Sequence, residues 1–168
     1  DLAKLIITEI PNYDPWAHGA NKLYRFHKVK AARVIAFFHT QLVHTGDSDM
    51  YGKPFKLLPH QMAFLALLFG MVHKSGPRAG LRRYRRALYS VGRGGGKSPL
   101  AAGICLYFLF CENRKGCTLY TAATDVEEAM QTFQPCVDMV RANPKLAAIV
   151  GNGIYKDRTG VDDRDSLR

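Results

Sequence analysis

Several chemistries are missing from this sequence. The four cysteines, Cys105, Cys111, Cys117 and Cys136, form no C-x-x-C pair, and no Cys/His spacing matches a zinc site. They read as reduced, mostly buried thiols of an intracellular protein. The histidines are scattered. His39 and His44 lack the H-E-x-x-H pattern and read as ordinary helix residues. The first residues lack the basic start and long apolar run of a signal peptide. The most apolar stretch, residues 100–111, is shorter than the ~20 residues needed to span a bilayer, so no membrane role is expected. Internal repeats and low-complexity linkers are absent. Acidic residues are scarce beside basic ones: 14 Asp and Glu face 24 Lys and Arg, a net charge of +10. That imbalance points to an anionic partner such as nucleic acid or nucleotide.

What is present reads as an α/β chain. Almost half of its 168 residues are apolar, enough for one sizeable core. Residues 1–27 are mixed, with turn signals at Pro11-Asn12 and His18-Gly19. Residues 28–44 have the helical period, with Ala31, Val34, Ile35, Phe38 and Leu42 on one face. Pro59 suits the first turn of a second helix. Residues 87–91 and 117–122 read as buried strands. Between them lie a glycine loop and an apolar helix around 97–112, expected to pack against the sheet. Thr124-Asp125-Val126-Glu127 reads as a capping box opening a further helix. Pro135 should kink or divide that helix, and Asn143-Pro144 should end it. Strand, loop, helix, strand, helix implies a parallel sheet with right-handed crossovers.

The glycine loop carries the chemistry. Gly92-Arg93-Gly94-Gly95-Gly96-Lys97-Ser98 matches the end of the phosphate-binding motif G-x-x-x-x-G-K-[ST], the Walker A loop. Glycines let successive amides turn toward one anion, and the helix that follows aims its N-terminal amides and dipole at the same place. Lys97 would reach the β- and γ-phosphates, and the Ser98 hydroxyl would bind Mg²⁺. The motif's first glycine falls on Val91. Pro99 removes one amide donor. ATP with Mg²⁺ is the expected ligand.

Several segments in order resemble the N-terminal ATPase domain of the large terminase subunit of tailed bacteriophages. Phe55-Lys56-Leu57-Leu58-Pro59-His60-Gln61 resembles that family's adenine-binding motif. Arg82-Arg83-Tyr84-Arg85-Arg86 resembles the basic stretch entering its first core strand. Val91 to Ser98 resembles its relaxed phosphate loop, and Leu119-Tyr120-Thr121-Ala122-Ala123-Thr124-Asp125 the strand and helix start that come next. The resemblance covers about residues 20–150. It implies a P-loop NTPase fold: a parallel β-sheet flanked by helices, with residues 1–54 as a helical lead-in and 55–168 as a partial ATPase core. It further implies that Gln61 hydrogen-bonds the adenine edge, that Arg93 reaches the γ-phosphate, and that Gly92, Gly94, Gly95, Gly96, Lys97 and Ser98 cradle the polyphosphate. Catalytic roles fall on Lys97 and Arg93.

The activity implied is an ATPase driving double-stranded DNA into a procapsid, in the cytoplasm of an infected bacterium. Its implied partners are further copies in a ring, a portal protein and a small terminase subunit. The family's Asp-Glu pair after an apolar strand has no counterpart, since Asp162-Asp163 lacks the strand and Glu127-Glu128 opens a helix. The chain therefore reads as truncated before that strand and before the parent's nuclease domain, with poor hydrolysis on its own. A trans-acting arginine could be Arg114, Arg141 or Arg158. The segment containing Arg78 and Arg82 to Arg86 could touch DNA phosphate, or could be a solvated strand edge. A helicase-like P-loop translocase and a non-hydrolysing, nucleotide-gated assembly module remain as alternatives.

Overall fold

The structure is a computed structural model. It describes residues 20–46, 49–112 and 118–150, and the backbone of 154–158 and 163–167. The chain divides into two compact units. The first comprises residues 1–39 and 56–90, the second residues 40–55 and 91–168. The turn signals at residues 11–12 and 18–19 lie outside the described residues.

In the first unit, β1 (Tyr24–Phe26) leads into α1 (Lys28–Gln41), whose final two residues belong to the second unit. The helix expected over residues 28–44 forms but ends at Gln41, short of Leu42 and His44, and Ala31, Val34, Ile35 and Phe38 on its face are buried. Helix α2 (Pro59–Gly70) starts on its proline and runs directly into β2 (Met71–His73). β1 and β2 pair antiparallel, with Arg25 opposite Val72. Gly70 is required at their junction: a Cβ there would lie 2.5 Å from the Phe26 ring and 3.1 Å from the Ala31 Cβ. Its carbonyl accepts from the His27 N–H at 2.7 Å. On its other side β2 is met by residues 81–83, through His73 N–H to Leu81 O at 3.0 Å and Arg83 N–H to Met71 O at 2.8 Å. Leu65, Phe69, Met71 and Val72 complete this core.

In the second unit, α3 (Lys97–Cys111) packs on α4 (Val126–Ala142), burying Leu100, Ala102, Leu106 and Tyr107 beside Val137, Met139 and Val140. A short helix α5 (Pro144–Val150) follows, then an antiparallel hairpin of β3 (Ile154–Arg158) and β4 (Asp163–Leu167). Leu42 and Phe55 are also buried, and His44 stacks on Phe55 at a ring distance of 4.5 Å. His44 lies beyond the end of α1, so it is not the helix residue expected. The described cysteines carry no disulfide: Cys136 is buried, while Cys105 and Cys111 are partly so. The Cys136 Sγ contacts the Ala102 and Thr132 carbonyls. Hydrogen bonding between the thiols of Cys105 and Cys136 pushes the first thiol's pKa down and the second's up.

Further sequence expectations are corrected. No parallel sheet occurs among the described residues. Residues 87–91 and 118–122 have no regular secondary structure and join no ladder, and Leu88 is 90% and Tyr120 87% exposed. A parallel strand needs a neighbour and cover on both faces, which these segments lack among the described residues. Helix α3 accordingly buries its apolar face against another helix rather than a sheet. The cap of α4 is Asp125, not Thr124: its carboxylate accepts from the Glu128 N–H at 2.8 Å. Pro135 does not divide α4, which runs past it to Ala142 and is capped at Asn143, the end expected from Asn143-Pro144. Packing of its buried face on α3 offsets the missing amide bond.

Candidate functional site

In the second unit the glycine loop folds as a tight turn running into α3. Gly94 and Gly96 have positive φ, +79° and +70°, a backbone that only glycine adopts without strain. Gly96 is the N-cap of α3. Gly95 meets a different constraint. A Cβ on it would lie 2.7 Å from the Val91 Cγ2 and 3.1 Å from the Gly92 carbonyl oxygen. The turn is closed by Gly95 N–H donating to Gly92 O at 3.1 Å, and α3 begins with Leu100 N–H donating to Gly96 O at 3.1 Å. Between these bonds, the N–H groups of Arg93, Gly94, Gly96, Lys97 and Ser98 meet no protein acceptor among the described residues. Pro99 contributes none.

Lys97 is exposed at the first position of α3. Its Nζ turns back over the loop, donating to the Val91 carbonyl at 2.8 Å and the Gly92 carbonyl at 3.1 Å. Arg93 is exposed at the tip of the turn, and Ser98 is half-buried in the first turn of α3. The structure thus brings residues 91–98 together on one loop. Gly95 N–H is the exception to an open array of amides, since it is spent within the turn. The loop suits a chain of linked anions: unused amides, one exposed ammonium, a hydroxyl and the positive end of a helix dipole. Among the described residues, no three His, Cys, Asp or Glu side chains gather as a protein-only metal site.

Gln61 lies in the first unit, at the third position of α2, and is only 4% exposed. Its Oε1 accepts from the Leu58 N–H at 2.9 Å. This is half of a capping box, because Leu58 has no side-chain acceptor to return the bond. The donor must face oxygen, which fixes the orientation of the amide. The adjoining cavity of about 380 Å³ is lined by His60, Phe64, Leu67, Leu68, Tyr84 and Leu88, and Gln61 does not open onto it.

Tyr89 was not singled out by its sequence. Its ring meets Phe64 at 4.8 Å and lies nearly parallel to His60, 6.5 Å away. Its hydroxyl is buried without a well-formed hydrogen bond. Burial pushes its pKa up, while the nearby Gln61 side chain pulls it down. No local pattern marks this contact, because it joins α2 to a segment without regular secondary structure.

The basic segment separates by role. Arg82 rests over the Phe69 ring at 5.1 Å, and Arg83 over Tyr24 and Tyr84 at 4.4 and 4.9 Å. Those two arginines pack the fold. Arg78, Arg85 and Arg86 are exposed. Of the candidate trans arginines, Arg141 is exposed on α4, whereas Arg114 and the Arg158 side chain lie outside the described residues. Asp162 and the Asp163 side chain also lie outside them.

No helix among the described residues is long and apolar enough to cross a membrane. No curated protein and no solved structure matches the chain. A family model described as the terminase large subunit, ATPase domain, matches residues 59–166, more than half of the chain, which therefore belongs to that family of ATPases serving DNA packaging.

Proposed function

We propose that residues 91–98 hold the polyphosphate tail of Mg²⁺-ATP, and that this binding powers movement of double-stranded DNA into a procapsid. The observation that supports the reading most is the loop itself: amides without protein acceptors, shaped by Gly94, Gly95 and Gly96, where a side chain would strain or clash, beside an ammonium resting on two neutral carbonyls. Lys97 would exchange those carbonyls for β- and γ-phosphate oxygens, a charge-assisted and stronger bond. Ser98 offers the one protein hydroxyl for Mg²⁺, with phosphate oxygens completing the shell, as is usual for this ion. Bound Mg²⁺ would neutralise charge developing on the transferred phosphoryl group. Arg93 at the exposed tip would meet the γ-phosphate.

Gln61 is assigned to the adenine edge. Its Oε1 has a second lone pair, and its cap bond leaves the Nε2 donors outside that cap, so both halves of an amide-to-adenine pair remain chemically available. Further copies in a ring, a portal protein and a small subunit are the proposed assembly partners.

Titration calorimetry tests the reading. The chain should bind ATP in the presence of Mg²⁺, bind it more weakly in EDTA, and bind inorganic triphosphate through the same loop. Absence of heat with both ligands at millimolar concentration would remove the assignment.

A further inference from the structure

The net charge of +10 is not spread over the chain. The second unit, which contains the phosphate loop, has eleven Lys and Arg against eleven Asp and Glu. The whole excess belongs to the first unit. Its described residues, 20–39 and 56–90, include twelve Lys and Arg and not one Asp or Glu. Salt bridges within this set are therefore impossible, and its cations repel one another. Such a field works against a compact unit and favours a polyanionic partner.

The fold concentrates part of this charge. Arg25 is exposed on β1. Lys74 follows β2, and its N–H donates to the carbonyl of Leu23, the residue after Lys22, at 2.9 Å. The loop carrying Arg78 is tied down at its end by Lys30 Nζ donating to the Gly80 carbonyl at 2.6 Å. Lys22, Arg25, Lys74 and Arg78 are all exposed around the β1–β2 ladder. Tyr24 and Tyr84, the aromatic rings nearby, are engaged by the Arg83 guanidinium. That leaves a backbone-gripping surface rather than a base-stacking platform.

We propose that this face of the first unit, centred on Lys22, Arg25, Lys74 and Arg78, is where the chain contacts the phosphate backbone of duplex DNA, without reading its sequence. The duplex as partner rests on the packaging reading; the location rests on the charge distribution alone. A second copy of this chain is a poorer match, because its second unit offers as many cations as anions. Duplex DNA offers one negative charge per ~1.7 Å of axis.

The test uses the full chain and a fluorescein-labelled duplex of random sequence, followed by anisotropy across KCl concentrations. Lys22→Glu/Arg25→Glu/Lys74→Glu should weaken binding about tenfold or more, and should lower the slope of log K against log [KCl] by roughly 2–3, near 0.9 per lost phosphate contact. The Gln version of the same triple, which adds no negative charge, should show the same slope change with a smaller loss. Lys53→Glu/Lys145→Glu, exposed positions of the second unit, should change affinity less than about twofold. Circular dichroism checks that each variant is folded, and calorimetry should find ATP binding unchanged in all three. Lys97→Ala should lose ATP and keep DNA; a wild type that binds duplex this way but not ATP would sink the ATP reading and leave this face standing. Equal losses from swaps in the two units, an unchanged salt slope, or poly-glutamate competing as well as duplex at equal charge would each overturn the assignment.

Discussion

Lys97 Nζ sits 2.8 Å from the Val91 carbonyl oxygen, so the loop's own lysine closes the loop from which it emerges. The contact is exposed and joins a charged donor to a neutral acceptor. It holds the ammonium over the turn at small energetic cost, ready for a better partner. Lys97→Ala should weaken ATP binding by about 2–3 kcal/mol, the usual worth of hydrogen bonds to charged groups, or roughly 30- to 150-fold in Kd. Thermal stability should change by less than about 0.5 kcal/mol, as for other exposed surface positions. Calorimetry and a melting curve on the same sample check both halves; retained ATP affinity would remove the phosphate-loop assignment.

Gly95 and Gly92 separate shape from flexibility. A Cβ at Gly95 meets the Val91 Cγ2 at 2.7 Å, whereas one at Gly92 meets nothing within 4 Å. Gly95→Ala should therefore distort the loop at a cost of about 1–3 kcal/mol, as overpacking does, and weaken ATP accordingly. Gly92→Ala should have little effect on either. Adding Val91→Ala to Gly95→Ala should restore part of the affinity, because the Gly92 carbonyl at 3.1 Å remains in the way. ATP titrations of the two single variants and the double variant suffice, and equal damage at Gly92 and Gly95 would refute the steric account.

These contrasts show which features a sequence exposes. Helices α1, α2 and α3 were legible because their signals are local: the spacing of Ala31, Val34, Ile35 and Phe38, Pro59 at a first turn, and the apolar run after Gly96. Strands depend on partners far along the chain. Residues 87–91 have strand-like composition yet join no ladder, while Tyr24–Phe26 and Met71–His73 do pair although each has only three residues. The second of these follows α2 with no intervening loop to mark the change. At α4 both Thr124 and Asp125 have a Glu three positions on, so the local pattern allowed two caps and backbone geometry selected Asp125. The glycine loop was legible as a motif. The acceptors of Lys97, the spent Gly95 amide and the Tyr89 hydroxyl beside Gln61 arise only when the chain is folded.

Gln61 combines a cap with its proposed part in recognising the base. Removing the side chain leaves the Leu58 N–H without its acceptor, a loss of about 1 kcal/mol and roughly 2–4 °C in Tm. Gln61→Ala should also weaken ATP more than inorganic triphosphate, since only ATP has an adenine edge. Gln61→Glu tells the two duties apart. Its carboxyl can still accept from Leu58 N–H but has no amide donor, so at acidic pH, where the buried group is neutral, Tm should recover relative to Gln61→Ala while the preference for ATP over triphosphate should not. Equal losses for both ligands would withdraw the adenine role and leave the cap.

His39 gives the first unit a dependence on pH. Its Nε2 accepts from the Leu57 N–H at 3.1 Å, at the head of the segment that leads to Gln61. Burial, reinforced by the charge of Lys56, holds its pKa below the usual value. The unfolded chain therefore takes up the proton more readily than the folded one. The stabilisation is fully present above the ordinary histidine pKa of about 6.5 and is lost as pH falls through the lower folded value. Protonation converts the acceptor into a donor, so the bond to Leu57 fails at the same step. His44, also held low by burial, acts in the same direction. Comparing wild type with His39→Gln isolates the first contribution: the amide oxygen can accept from Leu57 at every pH. Melting curves between pH 5 and 7.5 should show wild type losing Tm steadily below pH 6.5 and the variant losing less. Parallel curves would mean that the His39 contact adds nothing to stability.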